Sequence, residues 1–549
     1  MSYHRFALRI AFVSGAIILS ACSSPPAVVR APAVPVASYP VNPGDWPFYN
    51  RTLPGDRYSP LAEINSSNVG QLRTICSYTL PEVTSFQTGP IVVNGTMFFT
   101  TDTISYAIDA NSCAERWRSV RHSATPSFLG VNRGFAYMNG KLFRGTSDVH
   151  AIALDANDGH LIWDRVLDVK GPGVSIPMAP IAANGLVYLG NAGGDIAGVT
   201  GHVYALDAND GHVVWKFDVV PASGPARATW QNPRLPISGG GFWTSFTLDA
   251  PNGILYVPAG NPAPDFDAEL RRGDNLYTNS VIALSSRSGR MLAWNQLVKR
   301  DAHDWDVDSP PALVTTRSGR AIVASANKDG LLSILDRSRV THAPSDPAST
   351  LMLISQTPTT TRLNANVPLS RNHPTHFCPG IQGGAEWNGA AYSPQTNLIF
   401  TGAVDWCGNV QLKRDTVTVP APGSFWLGGE TPQAQIADPP NAARGWLTSF
   451  DAENGSVRWK YQAAHPMLAA VTPTAGGVVF AADMGGQLYA MDASTGRMLW
   501  QTNTGQSTGG GIITYVAGGR QLVGVASGMK SPVWPGATTQ SRILVLGLR

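Results

Sequence analysis

The sequence predicts an all-β fold built from repeats, and three observations lead to this prediction. The 549 residues include 56 glycines and 41 prolines, which suits many short strands joined by turns better than long helices. A pattern that ends in tryptophan recurs along the chain. Its copies are spaced as the repeats of a solenoid or propeller are, and one such unit alone cannot bury both of its faces.

The recurring pattern is typical of a strand, a tight turn and a second strand. In five copies an aspartate lies eight residues before the tryptophan, and the segment D-A-x-x-G favours an Asx-type turn. A looser copy contains Ser285 and Trp294, and another around Asp336 has no tryptophan. We interpret the tryptophans as structural anchors between neighbouring repeats. The five pairs are Asp109 and Trp117, Asp155 and Trp163, Asp207 and Trp215, Asp451 and Trp459, and Asp492 and Trp500.

The spacing of these aspartates predicts the number of repeats. The first two are 46 residues apart, the second and third 52, and the last two 41, which are the lengths of β-propeller blades. The 115 residues between Asp336 and Asp451 have room for two units. Placing an eighth unit in that interval predicts an eight-bladed β-propeller with tryptophan-docking repeats. A β-helix or a pair of sandwiches explains the tryptophan spacing less well.

The N-terminus predicts export. Arg5 and Arg9 precede the apolar run IAFVSGAIIL, and LSAC ends at Cys22, as in a bacterial lipoprotein signal over residues 1–21. An ordinary secretory signal is the alternative. Residues 22–44 are rich in proline and alanine, as expected for an extended tether, and the folded domain is predicted over 45–549. A lipid on Cys22 would hold the protein at a membrane in the periplasm, and Ser23 favours the outer membrane.

Export permits disulfides, and four cysteines remain after Cys22. They allow three pairings, of which we favour Cys76 with Cys113 and Cys378 with Cys407, each joining neighbouring strands of one local unit. The sequence has no CxxCH motif for covalent haem, so an electron carrier must be a separate molecule or a non-covalent cofactor. A net charge of +3 without a basic run excludes a nucleic-acid binder.

Four segments depart from the repeat and are candidates for a functional site. Loops of a propeller converge from every blade on one face, so polar residues far apart in sequence can meet there. The segments contribute Asp195 in GNAGGDIAGVTG, Trp243 in SGGGFWTSF, Asn261 in PAGNPAP and three acids in AHDWDVD. Carboxylate and amide oxygens suit Ca²⁺ or a similar large cation, although each segment alone is also typical of a turn.

Several separated motifs, in order and in spacing, resemble those of the pyrroloquinoline quinone (PQQ) dependent alcohol dehydrogenases. The resemblance covers about residues 45–549 and implies a single eight-bladed propeller. The motifs are WPFYNRTLPGDRYSPLAEINSSNVGQL, GPIVVNGTMFFTT, VNRGFAY, GDNLYTNSVIAL, HDWDVDSPP, NKDG and TAGGVVFAADMGGQLYAMDASTGRMLW.

The resemblance implies a role for each candidate at the cofactor. Trp243 matches the indole that stacks on the quinone, Arg133 the guanidinium that pairs with a cofactor carboxylate, and Lys328 the cation that reaches the quinone oxygens. Trp534 matches a cofactor-site tryptophan. Two further cofactor positions differ in type, since Gln87 stands where Glu is common and Glu386 where Asn is common.

The resemblance also implies a metal site and a catalytic base. The metal positions fall on Asp195, where the family has Glu, and on Asn261, Asp306 and Asp308. Asp306 matches the base that takes the hydroxyl proton of the alcohol, while the cation polarises the quinone carbonyl that receives the hydride. Asp308 matches an additional carboxylate of lanthanide-using members, because extra negative charge favours a trivalent ion over Ca²⁺.

The other residues of HDWDVD are interpreted as structural. An extended segment would point Asp304, Asp306 and Asp308 to one side, so that they can share a cation. Asp304 is interpreted as a turn residue, Trp305 as packing, and His303 as a turn or solvent-facing residue and not the base.

The lining of the predicted pocket departs from the family. Ser127 and Phe128 stand where much of the family has two adjacent cysteines. Pro177 and Gly241 stand where Thr is common, and Leu468 stands where Trp is common.

The sequence therefore predicts an exported quinoprotein dehydrogenase that oxidises an alcohol with PQQ and Ca²⁺ or a lanthanide ion. Electrons would pass to a separate cytochrome c or quinone. Two alternatives stay open: a non-catalytic propeller lipoprotein scaffold of the outer-membrane assembly type, and a sugar or polyol dehydrogenase with the same cofactor. Substrate choice depends on the loops over the pocket, which the motifs do not specify.

Overall fold

The structure of the protein is a computed structural model. The residues that it describes form eight four-stranded antiparallel sheets, the blades. Those residues are 1–2, 41–123, 129–167, 173–231, 235–344, 346–414, 419–421, 423–430, 436–536 and 538–548. The first strands of successive blades contact one another at five of the eight junctions, as inner strands of a ring do. The predicted eight-bladed β-propeller is confirmed.

The first four blades follow one another along the chain. Blade 1 contains β2 (Ile91–Val93), β3 (Thr96–Thr100), β4 (Ile104–Asp109) and β5 (Glu115–Val120). Blade 2 contains β6 (Ala136–Met138), β7 (Lys141–Gly145), β8 (His150–Asp155) and β9 (Leu161–Val166). Blade 3 contains β10 (Ile181–Ala183), β11 (Leu186–Gly190), β12 (His202–Asp207) and β13 (Val213–Asp218). Blade 4 contains β15 (Thr247–Asp249), β16 (Ile254–Ala259), β18 (Ser280–Ser285) and β19 (Met291–Gln296).

The last four blades include the closing one. Blade 5 contains β20 (Ala312–Thr315), β21 (Ala321–Ala326), β22 (Leu331–Asp336) and β23 (Met352–Pro358). Blade 6 contains β25 (Ala391–Ser393), β26 (Leu398–Asp405), β28 (Arg444–Asp451) and β29 (Val457–Ala463). Blade 7 contains β30 (Thr472–Pro473), β31 (Val478–Ala482), β32 (Gln487–Asp492) and β33 (Met498–Asn503). Blade 8 contains β34 (Ile512–Ala517), β35 (Arg520–Ser527), β36 (Arg542–Gly547) and β1 (Arg73–Thr79).

Short elements connect the blades. The pair β14 (Ser238–Gly239) and β17 (Pro262–Ala263), and the pair β24 (Thr375–Phe377) and β27 (Gly408–Val410), form two-stranded sheets. A single α-helical turn, α1, spans Pro225–Ala228. Turns of 3₁₀-helix span Val69–Gln71, Ala268–Arg271, Pro347–Ser349 and Pro440–Ala442.

Blade 8 closes the ring and carries no docking motif. Its outer strand β1 comes from the start of the domain and pairs antiparallel with β36 at the end. The prediction of a motif-free unit between Asp336 and Asp451 is therefore wrong in its location, although the total of eight is right. That interval holds the small β24–β27 sheet and long connections around the strands of blade 6.

Four of the five docking tryptophans bind the turn of the next blade, as predicted. The indole Nε1 of Trp163 donates a hydrogen bond to the carbonyl oxygen of Ala208 (3.2 Å). Gly211 of the same turn has φ 77° and lies against the indole, where a Cβ would come within 2.7 Å of the ring. The turn therefore needs glycine for its backbone and for its lack of a side chain. Equivalent contacts join Trp117 to Ala156 and Gly159, Trp215 to Ser286 and Gly289, and Trp459 to Ala493 and Gly496.

The two loose copies differ at the anchor. Trp294 lies opposite Ile282, one residue beyond the position that the other tryptophans occupy, and packs edge-on against Tyr277 (5.0 Å between ring centroids). In blade 5 the anchor position is Ser355, which lies against Gly455 of the next turn.

Both predicted disulfides are present. Cys378–Cys407 joins residues next to β24 and β27 within one local unit. Cys76–Cys113 joins β1 of blade 8 to the β4–β5 turn of blade 1. The prediction that each bond would stay within one unit is therefore wrong for Cys76–Cys113, because β1 belongs to the closing blade.

The predicted signal and tether, including Cys22 and Ser23, lie in residues 3–40, outside the described residues. Among the described residues, no helix has the length and apolar character needed to cross a membrane.

The docking contact predicts different costs for two glycine substitutions in blade 3. Gly211→Ala and Gly185→Ala both place alanine at positive φ, but only at Gly211 does the new Cβ meet the Trp163 ring. We expect Gly211→Ala to lower the free energy of unfolding by about 1–3 kcal/mol more than Gly185→Ala, since the extra methyl overpacks a buried contact. Thermal and denaturant unfolding measure both, and equal losses would contradict the docking role.

Candidate active site

The candidate site is a cavity of about 400 Å³ on one face of the ring. Its walls come from segments that lead into the first strand of a blade or leave the second strand. These segments meet because the start of one strand and the end of its antiparallel neighbour lie at the same edge of a sheet. The predicted residues that line the cavity are Gln87, Arg133, Asp195, Trp243, Asn261, Asp306, Lys328, Glu386 and Trp534.

The HDWDVD segment is shaped by Asp301, which the sequence analysis did not select. Its carboxylate accepts hydrogen bonds from the backbone N–H groups of His303 and Trp305 (both 3.0 Å). Asp304, between them, has φ 61°, in the left-handed region. Its backbone is a turn, as predicted, but its side chain points into the cavity, so the interpretation of Asp304 as only a turn residue is wrong.

Asp306 is held by three donors. Its Oδ1 accepts hydrogen bonds from the backbone N–H of Asn261 (2.9 Å) and from the Trp243 indole (3.5 Å), and its Oδ2 accepts one from Lys328 Nζ (3.0 Å). A Cβ on Gly260 would collide with Oδ1, so glycine allows this approach. The β14–β17 pair brings the Gly-rich segment before Trp243 beside Asn261.

A second group of carboxylates lies beside Asp306. One oxygen each of Asp195, Asp265 and Asp304 lies within 4.8 Å of the others. Asp304 forms an ion pair with Lys328 (3.1 Å), and Asp265 Oδ1 accepts a hydrogen bond from the Asn261 side chain (3.1 Å). Asp265 Oδ2 is buried and has no hydrogen-bond partner among the described residues. Burial raises the pKa of Asp195 to about 6, and Asp306 adds to that increase.

Asp308 lies behind the cavity wall. Both of its carboxylate oxygens are buried without a hydrogen-bond partner among the described residues, and Asp308 does not line the cavity. Burial raises its pKa well above the usual value, and Glu386 raises it further. Burial also raises the pKa of Glu386 to about 8, although Lys328 lowers it.

Arg133 is enclosed by aromatic rings. Its guanidinium lies 4.9 Å from the ring centre of Trp243 and 5.1 Å from that of Trp387, and donates to Gln87 Oε1 (2.8 Å) and the Trp243 carbonyl oxygen (3.0 Å). Its Nε has no partner among the described residues. Trp387 also meets Trp534 edge-on at 6.1 Å.

Three of the five further positions that depart from the family lie in the described residues. Pro177 and Gly241 line the cavity, whereas Leu468 is buried beneath it against Trp387 and Trp534. Ser127 and Phe128 lie outside the described residues.

His303 and Trp305 lie away from the cavity. Trp305 is buried and donates to the Pro379 carbonyl oxygen (3.1 Å), which confirms its packing role. His303 stacks on Trp305 at 4.2 Å and is buried, so the prediction of a solvent-facing side chain is wrong.

Sequence reasoning missed Asp265 and Trp387. Asp265 belongs to PAPDFD, directly after the selected Asn261, and the two acids of this Pro-rich run were the available signal. Trp387 follows Glu386 and was available as an aromatic neighbour of a selected residue.

Two family models match parts of the chain. The model of the glucose/ethanol/alcohol dehydrogenase β-propeller domain of PQQ enzymes matches residues 46–342. The model of the outer membrane protein assembly factor BamB matches residues 443–532, which contain the last two docking motifs.

Curated relatives match over most of their length. The chain is 28% identical to the lanthanide-dependent methanol dehydrogenase of Methylacidiphilum fumariolicum, over 89% of this chain and 85% of that protein. It is 28% identical to the quinohemoprotein alcohol dehydrogenase ADH IIB of Pseudomonas putida, over 92% and 78%. A europium-containing methanol dehydrogenase structure aligns with a TM-score of 0.80 and 25% identity, over 92% of this chain and 98% of that one.

The fold and the cavity define a quinoprotein dehydrogenase, and the chain belongs to the PQQ-dependent glucose/ethanol/alcohol dehydrogenase family. Within that family it is a PQQ-dependent alcohol dehydrogenase, as predicted.

The residues present fit such a cofactor. Arg133 and Lys328 supply positive charge for an anionic quinone, and Trp243 and Trp534 supply aromatic surface. The unpartnered Arg133 Nε and Asp265 Oδ2 are a donor and an oxygen ligand still available to a bound group. Carboxylate and amide oxygens are the ligands that Ca²⁺ and lanthanide ions take.

Buried acids predict how stability depends on pH. Burial raises the pKa of Asp329 to about 7 and that of Glu386 to about 8. Between about pH 6.5 and 8 the folded state then binds protons that the unfolded chain has already lost, so stability of the metal-free and PQQ-free protein falls as pH rises. We expect up to about 1.4 kcal/mol per pH unit for each group still protonated.

Thermal unfolding at a series of pH values measures this slope. Glu386→Gln removes one of the two groups and should flatten the upper part of the curve. Stability that increases with pH across this range in the wild-type protein would contradict the assignment.

Proposed function

We propose that this protein is an exported quinoprotein dehydrogenase that oxidises an alcohol, with Asp306 as the catalytic base. The observation that carries the proposal is the placement of Asp306, whose carboxylate lies in the cavity, held by Asn261, Trp243 and Lys328. A carboxylate oriented in this way can take the proton of a substrate hydroxyl. Bound PQQ, with its metal ion as Lewis acid, supplies the acceptor for the hydride.

Each of the other predicted residues has a proposed role in binding. Trp243 would stack on the quinone, with Trp534 as further aromatic surface, and Arg133 would pair with a cofactor carboxylate. Lys328 would reach the quinone oxygens. Gln87 orients Arg133 through a hydrogen bond, and Glu386 lines the same wall. The proposed metal ligands are Asp195, Asn261 and Asp306, with Asp308 as an additional carboxylate for a trivalent ion.

The apolar part of the cavity lining supports a small apolar alcohol as substrate. Leu129, Ile196, Phe425 and Val533 line the cavity together with the charged residues. Apolar side chains favour the hydrocarbon part of an alcohol and give no hydrogen bonds to the additional hydroxyls of a sugar.

The route of the electrons and the location of the protein are part of the proposal. The sequence has no CxxCH motif, so we propose a separate cytochrome c or quinone as acceptor. We propose a signal over 1–21, a lipid on Cys22, a tether over 22–44 and one propeller domain over 45–549. Together these would place the protein in the periplasm, at the outer membrane.

Cofactor uptake tests the function. The protein without residues 1–21 should take up PQQ with Ca²⁺ or La³⁺, show quinone absorbance and reduce an artificial dye with short alcohols but not with sugars. Absence of uptake with either ion would refute the proposal.

Asp306→Asn tests the base. The amide keeps the shape but cannot take a proton, so we expect turnover to fall at least about 100-fold while PQQ absorbance is retained. Glu269→Gln is the control, because Glu269 is an exposed acid paired with Arg272. Wild-type turnover in Asp306→Asn would reject the role.

A further inference from the structure

The carboxylates in the cavity lining, together with Asp265 beside them, exceed the positive charge available to them. Asp304 and Asp306 both pair with Lys328. Asp195 and Asp265 form no ion pair among the described residues. Uncompensated carboxylates in a buried site are unfavourable unless a cation joins them.

Asp265 is aimed at the group formed by Asp195 and Asp304. It is fully buried, and its Oδ1 is oriented by the Asn261 side chain, while Oδ2 has no partner among the described residues. Oxygens of Asp195, Asp265 and Asp304 lie within 4.8 Å of one another. Ligand oxygens lie 2.3–2.6 Å from Ca²⁺, so two of them on opposite sides of such an ion are about 5 Å apart. The three carboxylates are therefore spaced for one large cation.

Arg271 holds this arrangement in place without a hydrogen bond to its carboxylates. The buried guanidinium donates to the carbonyl oxygens of Pro264 and Asp265 (both 3.0 Å) and of Asp301 (2.6 Å). It thereby ties the Asp265 segment to the turn that presents Asp304. Its contacts are to backbone oxygens and to the Asn275 side chain (3.1 Å), so both carboxylate oxygens of Asp265 stay outside its hydrogen bonds.

We propose that Asp265 is a metal ligand of this protein, which with Asp195 and Asp304 forms a three-carboxylate site that favours a trivalent over a divalent ion. Three carboxylates neutralise a 3+ ion and overcompensate a 2+ ion. Attraction to each carboxylate grows with the charge of the ion, so the trivalent ion gains more from Asp265. The proposal rests on the proposed function, because the ion would occupy the same cavity, but it is tested by metal binding and not by turnover.

Terbium luminescence gives a direct measurement. Trp243 lines the cavity next to the carboxylates and can sensitise bound Tb³⁺. In the PQQ-free full domain, Tb³⁺ titration followed by Ca²⁺ competition gives the affinity for both ions. We expect Asp265→Asn to weaken Tb³⁺ binding at least 10-fold and Ca²⁺ binding less, whereas the exposed Glu269→Gln, in the same segment, changes neither.

Three outcomes would overturn the proposal. Wild-type affinity of Asp265→Asn for both ions would exclude Asp265 as a ligand, and equal losses for both ions would refute the charge argument. A loss that occurs only in Asp308→Asn would assign the trivalent preference to Asp308 instead.

Thermal unfolding separates a ligand from a structural residue. As a ligand, Asp265 is expected to cost stability without metal, so Asp265→Asn should melt at or above the wild-type temperature when metal-free and gain less from added Tb³⁺. A lower metal-free melting temperature with the full metal-induced increase would overturn the proposal. If the amide prevents folding, Asp265→Ser removes the carboxylate without added bulk and should show the same loss of Tb³⁺.

The two proposals fail separately. Tb³⁺ binding through Asp265 without PQQ uptake would refute only the proposed function. Turnover with La³⁺ that is unchanged in Asp265→Asn, together with unchanged metal affinity, would refute only the role of Asp265.

Discussion

Closure of the ring is the constraint on which the rest of the structure depends. Each blade has an inner strand and an outer strand, and its flat faces are buried only by its two neighbours, so the last gap must be filled. Pairing of β1 with β36 completes blade 8 and so fills the last gap in the ring. The closed ring then sets the relative positions of the loops on the cavity face. The nine candidate side chains that line the cavity come from seven blades, and their distances follow from this closure and not from any local motif.

The cavity contains more carboxylates than positively charged side chains. Lys328 is shared by two aspartates, and Arg133 is committed to Gln87, the Trp243 carbonyl and two indoles. The acids that remain are buried, where charge is costly. A bound cation would offset the cost of the buried carboxylates. The cation and the positive side chains together could then hold an anionic cofactor beside the acids.

Much of the fold was predictable, because the docking turn is a local pattern whose residues contact each other through one sheet register. The aspartate and tryptophan of each full copy specify a blade, with a glycine in the turn of every copy but the first, where Cys113 takes that place. Blade 8 has no such pattern, and its first and last strands are far apart in sequence, so its location could not be read from spacing. The pairing of Cys76 with Cys113 was predicted correctly, but for the same reason the prediction that both lie in one blade was wrong.

The site was predictable in its residues and less so in their orientation. Family motifs placed nine selected side chains on one cavity. They did not reveal that Asp304 turns inward while Asp308 lies behind the wall, because a left-handed residue at Asp304 breaks the alternation expected of an extended segment. Asp265 had no counterpart in the quoted motifs, and only the convergence of two loops shows that it faces Asp195.

The Cys76–Cys113 bond has a consequence for biosynthesis. A chain made from its N-terminus exposes β1 long before β36 exists, and an unpaired edge strand is prone to wrong pairing. Its two cysteines are only 37 residues apart, so the bond can form as soon as blade 1 is complete. From then on the disulfide holds β1 next to blade 1, where β36 must pair with it. The last strand of the chain therefore adds to a strand that is already in position.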